Sequence, residues 1–120
     1  MLAFTSPTSA ETEAAYNAWY DNKHLHDVVS IKGVVAATRY QLVHGVELLP
    51  GVTGPTQKYM AVYELEAETV EDLDAFCGTL RDALANGPAD IDVTLDMTQL
   101  GASLALPHGE RLVSPNHPDA

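Results

Sequence analysis

A chain of 120 residues with a formal net charge of −11 is long enough to bury one core, and too acidic to favour nucleic acid or an anionic membrane surface. Hydrophobic residues make up 46% of it, yet no apolar run approaches the roughly 18 residues of a membrane helix. The single cysteine, Cys77, excludes an intramolecular disulfide, a cysteine-rich zinc site and an iron–sulfur cluster.

Met1 to Thr5 is a short apolar run closed by Pro7 and reads as a first strand. It lacks the basic start and long apolar stretch of a signal peptide, so the expected location is cytoplasmic. Thr8 or Ser9 can cap a helix with Glu11 and Glu13 in its first turn, and the helix is expected from about Ala10 to Val29, ending before Gly33. Val34 to Val43 is rich in β-branched and aromatic residues and reads as the second strand. The segment from His44 to Pro55 is rich in Gly and Pro and reads as a loop. Gln57 to Glu66 is the third strand, with Tyr59, Ala61, Tyr63 and Leu65 on one face and Lys58, Met60, Val62 and Glu64 on the other.

Thr69 opens a second helix with Asp72 three residues on, and Val70, Leu73, Phe76, Cys77, Leu80 and Leu84 form its apolar stripe. Asn86-Gly87-Pro88 ends it. Val93 to Leu106 is expected as a fourth strand, broken near Gly101. Residues 107–120 carry three prolines and no period, and read as a tail outside the 1–106 domain. The order strand, helix, strand, strand, helix, strand is that of the α+β, ferredoxin-like βαββαβ unit. It implies a four-stranded antiparallel sheet with two helices on one face. The other face needs a cover, and a second copy of the chain is the expected one.

The chemistry concentrates in the first helix, where Asn17-Ala18-Trp19-Tyr20-Asp21-Asn22-Lys23-His24 sets titratable groups beside an apolar stripe. At about 100° per residue, Asn17, Tyr20, Asp21, His24 and Val28 share one sector, next to Ala14, Ala18, Leu25 and Val29. His24 then stands at the border of the core. It reads either as a general acid/base poised near neutral pH, its tautomer held by Asp21 or Tyr20, or as a partly buried histidine bonding a backbone carbonyl. His26 lies on the opposite side and reads as solvent-facing, so the two histidines cannot share a metal. No metal site is expected. Trp19 falls off the Tyr20–His24 face and is expected against a strand or the tail. Tyr40, Tyr59 and Tyr63 are strand aromatics that can serve as ligand platforms or as core and interface residues. Arg39 can bind a carboxylate or enolate, or pair with an acid across the sheet. Cys77 belongs to an apolar stripe and reads as buried and inert.

The pattern Asn17-x-Trp19-Tyr20-Asp21-x-x-His24-Leu25-x-Asp27-Val28, followed by Ile31-x-Gly33-Val34, Ala37-x-Arg39-Tyr40 and Lys58 to Leu65, resembles the EthD-like branch of the dimeric α/β-barrel superfamily over about residues 1–105. The resemblance implies a ferredoxin-like domain that dimerises through its sheets, with a ligand cavity between sheet and helices. Members of that superfamily include cofactor-free monooxygenases, polyketide cyclases, muconolactone isomerase and haem-handling proteins. The family often has Pro two residues after the histidine; here that position is His26. These observations imply a small homodimeric enzyme without a cofactor, acting on a hydrophobic cyclic or aromatic molecule by proton transfer, as an isomerase, cyclase, lyase or oxygenase. His24, Tyr20 and Asp21 would be catalytic, and Asn17, Arg39, Tyr40, Tyr59 and Tyr63 would bind substrate. A non-catalytic binding protein for a hydrophobic metabolite is the alternative, and haem binding a further one.

Overall fold

The computed structural model describes residues 1–117, so the end of the expected tail, residues 118–120, lies outside them. Strands β1 (Leu2–Thr5), β2 (Val34–Gln41), β3 (Tyr59–Leu65) and β4 (Gly101–Ser103) form one sheet in the order β2-β3-β1-β4. Every neighbouring pair is antiparallel. The helical rod between β1 and β2 and helix α3 (Val70–Asn86) between β3 and β4 each cross over the strand lying between the pair they join. This α+β arrangement is compatible with a ferredoxin-like fold.

Side-chain alternation on β3 sets which face is buried. Ala61 and Tyr63 join the core with Tyr16, Tyr20 and Val28 from the first rod and Phe76 and Ala83 from α3, so both helical segments cover the same face. Register places Ala3 and Thr5 opposite Ala61 and Tyr59, and Ala37 and Arg39 opposite Tyr63 and Ala61, on that face. The other face carries Leu2, Phe4, Met60 and Val62, all half-buried, and Tyr40, which is 49% exposed. A bulge at Val34–Ala36 starts β2. Gly33, at φ +100°, makes the turn before it, a backbone shape that a β-carbon disfavours. Its carbonyl accepts from the Glu66 amide at 2.8 Å, which ties β2 to the end of β3.

α3 begins as expected. The Thr69 hydroxyl accepts from the Asp72 amide at 3.1 Å, and the Asp72 carboxylate accepts from the amides of Thr69 and Glu68. Those backbone donors hold the Asp72 carboxyl below its usual range. Val70, expected in the apolar stripe, is exposed in the first turn; Leu73, Phe76 and Ala83 are the residues that α3 buries. Cys77 is half-buried.

Three expectations change. The first rod starts at Glu13, three residues later than expected, because Thr8, Ser9 and Thr12 hydroxyls bond one another and form a turn first. The rod is also not one regular helix: α1 (Glu13–Trp19) runs into a π turn at Tyr20–His24 and continues as α2 (Leu25–Val29). The fourth strand is three residues long. Asp92 accepts from the amide and hydroxyl of Thr94, and Asp96 does the same with Thr98, so two local turns replace the expected extended run before Gly101.

Candidate functional site

A cavity of about 130 Å³ lies between the first rod, α3 and the sheet. Aliphatic groups make most of its wall, among them Val28, Leu80, Leu84, Ile91 and Leu95. Its polar members are Thr5, Tyr20, His24 and Tyr63. Thr5 is buried and its hydroxyl is bonded to that of Tyr16, leaving the tyrosine pair and the imidazole as the groups facing the space.

The π turn decides how they face it. The Leu25 amide bonds to the Tyr20 carbonyl five residues back, so the turn holds one residue more than an α-helical turn. In a regular helix Trp19 and His24 would diverge by about 140°. Here their rings stack with centroids 4.6 Å apart. This corrects the expected placement of Trp19 off that face. Tyr20 stands edge-on to His24 at 5.0 Å, and its hydroxyl lies 3.1 Å from that of Tyr63. One hydrogen bond between two hydroxyls uses one proton, so a second phenolic O–H stays available to a ligand.

His24 is 6% exposed and its Nδ1 is buried without a hydrogen-bond partner among the described residues. Burial is the main cause that lowers its pKa to about 4, against an ordinary 6.5. It is therefore a neutral imidazole at physiological pH, not a group poised near neutrality. Burial likewise pushes Tyr20 and Tyr63 above the usual phenol range, so both keep their protons.

The remaining expected residues form a second layer. Arg39 lies under the rings of Tyr20, Tyr59 and Tyr16, at 4.2, 4.8 and 5.3 Å from their centroids. Its Nη1 donates to Asp21 Oδ1 at 2.7 Å and its Nη2 to the Tyr16 hydroxyl at 3.3 Å. Asp21 therefore holds Arg39 and not the His24 ring. Asn17 donates to the Tyr59 hydroxyl at 3.0 Å, and Tyr59 donates to Glu13 at 2.7 Å. The Lys58 ammonium closes the chain on Glu13 at 3.0 Å, and the Tyr59 bond is the chief cause that lowers the Glu13 carboxyl. Tyr40 is on the far face of the sheet, opposite Met60, and does not reach the cavity. His26 is exposed. Among the described residues no group of three His, Cys, Asp or Glu could hold a metal ion.

The structure thus brings His24, Tyr20 and Tyr63 together, backs them with Arg39, Asp21, Asn17 and Tyr59, and leaves Tyr40 out. Sequence reasoning missed Tyr16, which is fully buried beneath Arg39. Its spacing of four from Tyr20 was a usable signal. The Thr5 partner, the Trp19 stack and the walls from Ile91 and Leu95 had none. No protein-family model matches the chain, and neither a curated protein nor a solved structure matches it significantly. Among the described residues no helix is long and apolar enough to cross a membrane.

Proposed function

We propose that the protein is a small enzyme that moves a proton on a hydrophobic cyclic or aromatic molecule without a cofactor. The observation carrying this is an imidazole whose Nδ1 has no hydrogen-bond partner among the described residues, beside a tyrosine hydroxyl pair, in an otherwise aliphatic cavity. A neutral His24 takes the proton from a carbon next to a carbonyl. The electron pair of that C–H bond moves into the carbonyl, and the resulting enolate oxygen accepts the available O–H of the Tyr20–Tyr63 pair. The anion formed beside the imidazolium stabilises it by charge pairing, which offsets the cost of charging a buried ring. Return of the proton to another carbon completes an isomerisation; attack of the enolate carbon on a second carbonyl, with the imidazolium proton passing to the alkoxide so formed, completes a cyclisation.

The test is deuterium uptake from D₂O into small cyclic ketones, followed by NMR, with binding read in parallel from the single tryptophan, Trp19. His24→Gln is expected to bind and to lose exchange; Tyr63→Phe is expected to slow exchange. Exchange by His24→Gln at the wild-type rate overturns the assignment. A second reading, a binding protein for the same molecules, is favoured by the low basicity of His24. Binding without exchange in the wild-type protein selects it.

The proposal includes a homodimer of ferredoxin-like domains closed into an α/β barrel. Its support is the row Leu2, Phe4, Met60 and Val62 on the face without helices. Sedimentation at micromolar concentration is expected to give a dimer burying roughly 1,200–2,000 Å² in total, and Val62→Lys to give monomers. A wild-type monomer refutes this part.

A further inference from the structure

We infer that the cavity selects an uncharged, single-ring ligand that accepts a hydrogen bond, a phenol or a cyclic ketone, and rejects carboxylates and ammonium ions of the same size. This rests on reading the cavity as the small-molecule site, and it adds the charge and size of what enters.

Size comes from the volume. About 130 Å³ is close to the roughly 150 Å³ of an engineered apolar cavity that takes benzene. One six-membered ring fits it.

Charge comes from the lining. Among the described residues no Asp, Glu, Lys or Arg side chain lines the space. Arg39, 4.2 Å from the centroid of the Tyr20 ring, does not line the space and is held by Asp21 and by the Tyr16 hydroxyl. The amino group of Met1 is engaged by the Tyr63 carbonyl at 2.8 Å. Burial keeps His24 neutral and the two tyrosines protonated. A carboxylate entering would lose its water and meet only the Met1 ammonium, already bonded to the Tyr63 carbonyl, and an ammonium ion would meet no anion among the described residues.

Hydrogen bonding comes from the same three side chains. The tyrosine pair offers one O–H, which a carbonyl or phenol oxygen can accept. The neutral His24 ring carries one unprotonated nitrogen, the acceptor that a phenol O–H would use, and its Nδ1 has no partner among the described residues. A phenol therefore satisfies both groups, a cyclic ketone one, and a plain hydrocarbon ring neither.

The experiment is a titration of the full chain with phenol, cyclohexanone, toluene, benzoate and benzylammonium at millimolar concentrations, read by NMR of the labelled protein and by Trp19 fluorescence. Phenol and cyclohexanone are expected to bind, toluene about 3- to 10-fold more weakly than phenol. Benzoate and benzylammonium are expected on the order of 100-fold weaker than phenol. Tyr63→Phe is expected to bring phenol towards toluene. Benzoate binding as tightly as phenol, and losing this in Arg39→Met, overturns the inference and makes Arg39 a carboxylate anchor, with the site itself upheld. Toluene equal to phenol overturns the hydrogen-bond selection. If none of the five binds, the reading of the cavity as a ligand site fails, and the inference fails with it.

Discussion

Titration of His24 should be visible in the stability of the whole domain. In the unfolded chain the imidazole binds a proton near its ordinary 6.5, whereas burial in the fold lowers this to about 4. Between those values the unfolded state binds more protons than the folded one, so stability rises with pH across the window and falls as pH drops. Well below both values the loss would total about 3 kcal/mol. The useful range is narrower, because Asp72, Asp92 and Glu13 are carboxyls held below their usual values and begin to contribute in stronger acid. Between about pH 7.5 and about pH 5 the His24 contribution alone is about 2 kcal/mol. Urea denaturation at a series of pH values, for the wild-type chain and for His24→Leu, isolates it. The wild-type curve should slope through the window and the variant curve should be flatter by that amount, whatever their absolute stabilities. Parallel curves, or a His24 ring titrating near 6.5 by NMR, would show that the imidazole is hydrated. A hydrated imidazole would remove the basis for a neutral base in a dry cavity.

Tyr20→Phe removes a hydroxyl bond between two buried rings and is expected to cost about 1 kcal/mol by thermal or chemical denaturation; no change would mean that Tyr63 finds another partner. Arg39→Ala removes a guanidinium packed against three rings and should cost about 1–2 kcal/mol, whereas Asp21→Asn, at a 57% exposed carboxylate, should cost less than about 0.5 kcal/mol. Equal costs would place the stabilisation in the ion pair and not in the stack. Thr69→Ala breaks the capping box of α3 and should lower stability by about 1 kcal/mol; helical circular dichroism across the melt checks that the loss belongs to that helix.

Elements governed by local rules were legible in the sequence. Alternation sorted β3 into Tyr59, Ala61, Tyr63 and Leu65 on one face. Thr69 and Asp72 marked the start of α3 by side-chain chemistry that acts within four residues. The His24 border position and its nearness to Tyr20 also followed from spacing. What stayed hidden depended on competition or on distance. Asp92 and Asp96 can cap turns or sit in a strand, and only the sheet decides between them. The π turn has no residue signature, so the Trp19–His24 stack could not be read from a regular wheel. The basicity of His24 is set by how much water the whole fold removes, and a single segment does not encode that.

The extra residue in the turn from Tyr20 to His24 does for a spacing of five what a regular helix does for a spacing of four. An insertion of one position into an ordinary helix produces this geometry, and excising one solvent-facing position such as Asn22 reverses it. In the healed helix the indole and imidazole would stand four positions apart, about 40° on the wheel, so ellipticity and the pairing of the two rings would both be kept. The aromatic wall can therefore tolerate a change of one residue in the length of this turn, because either length sets the two rings side by side.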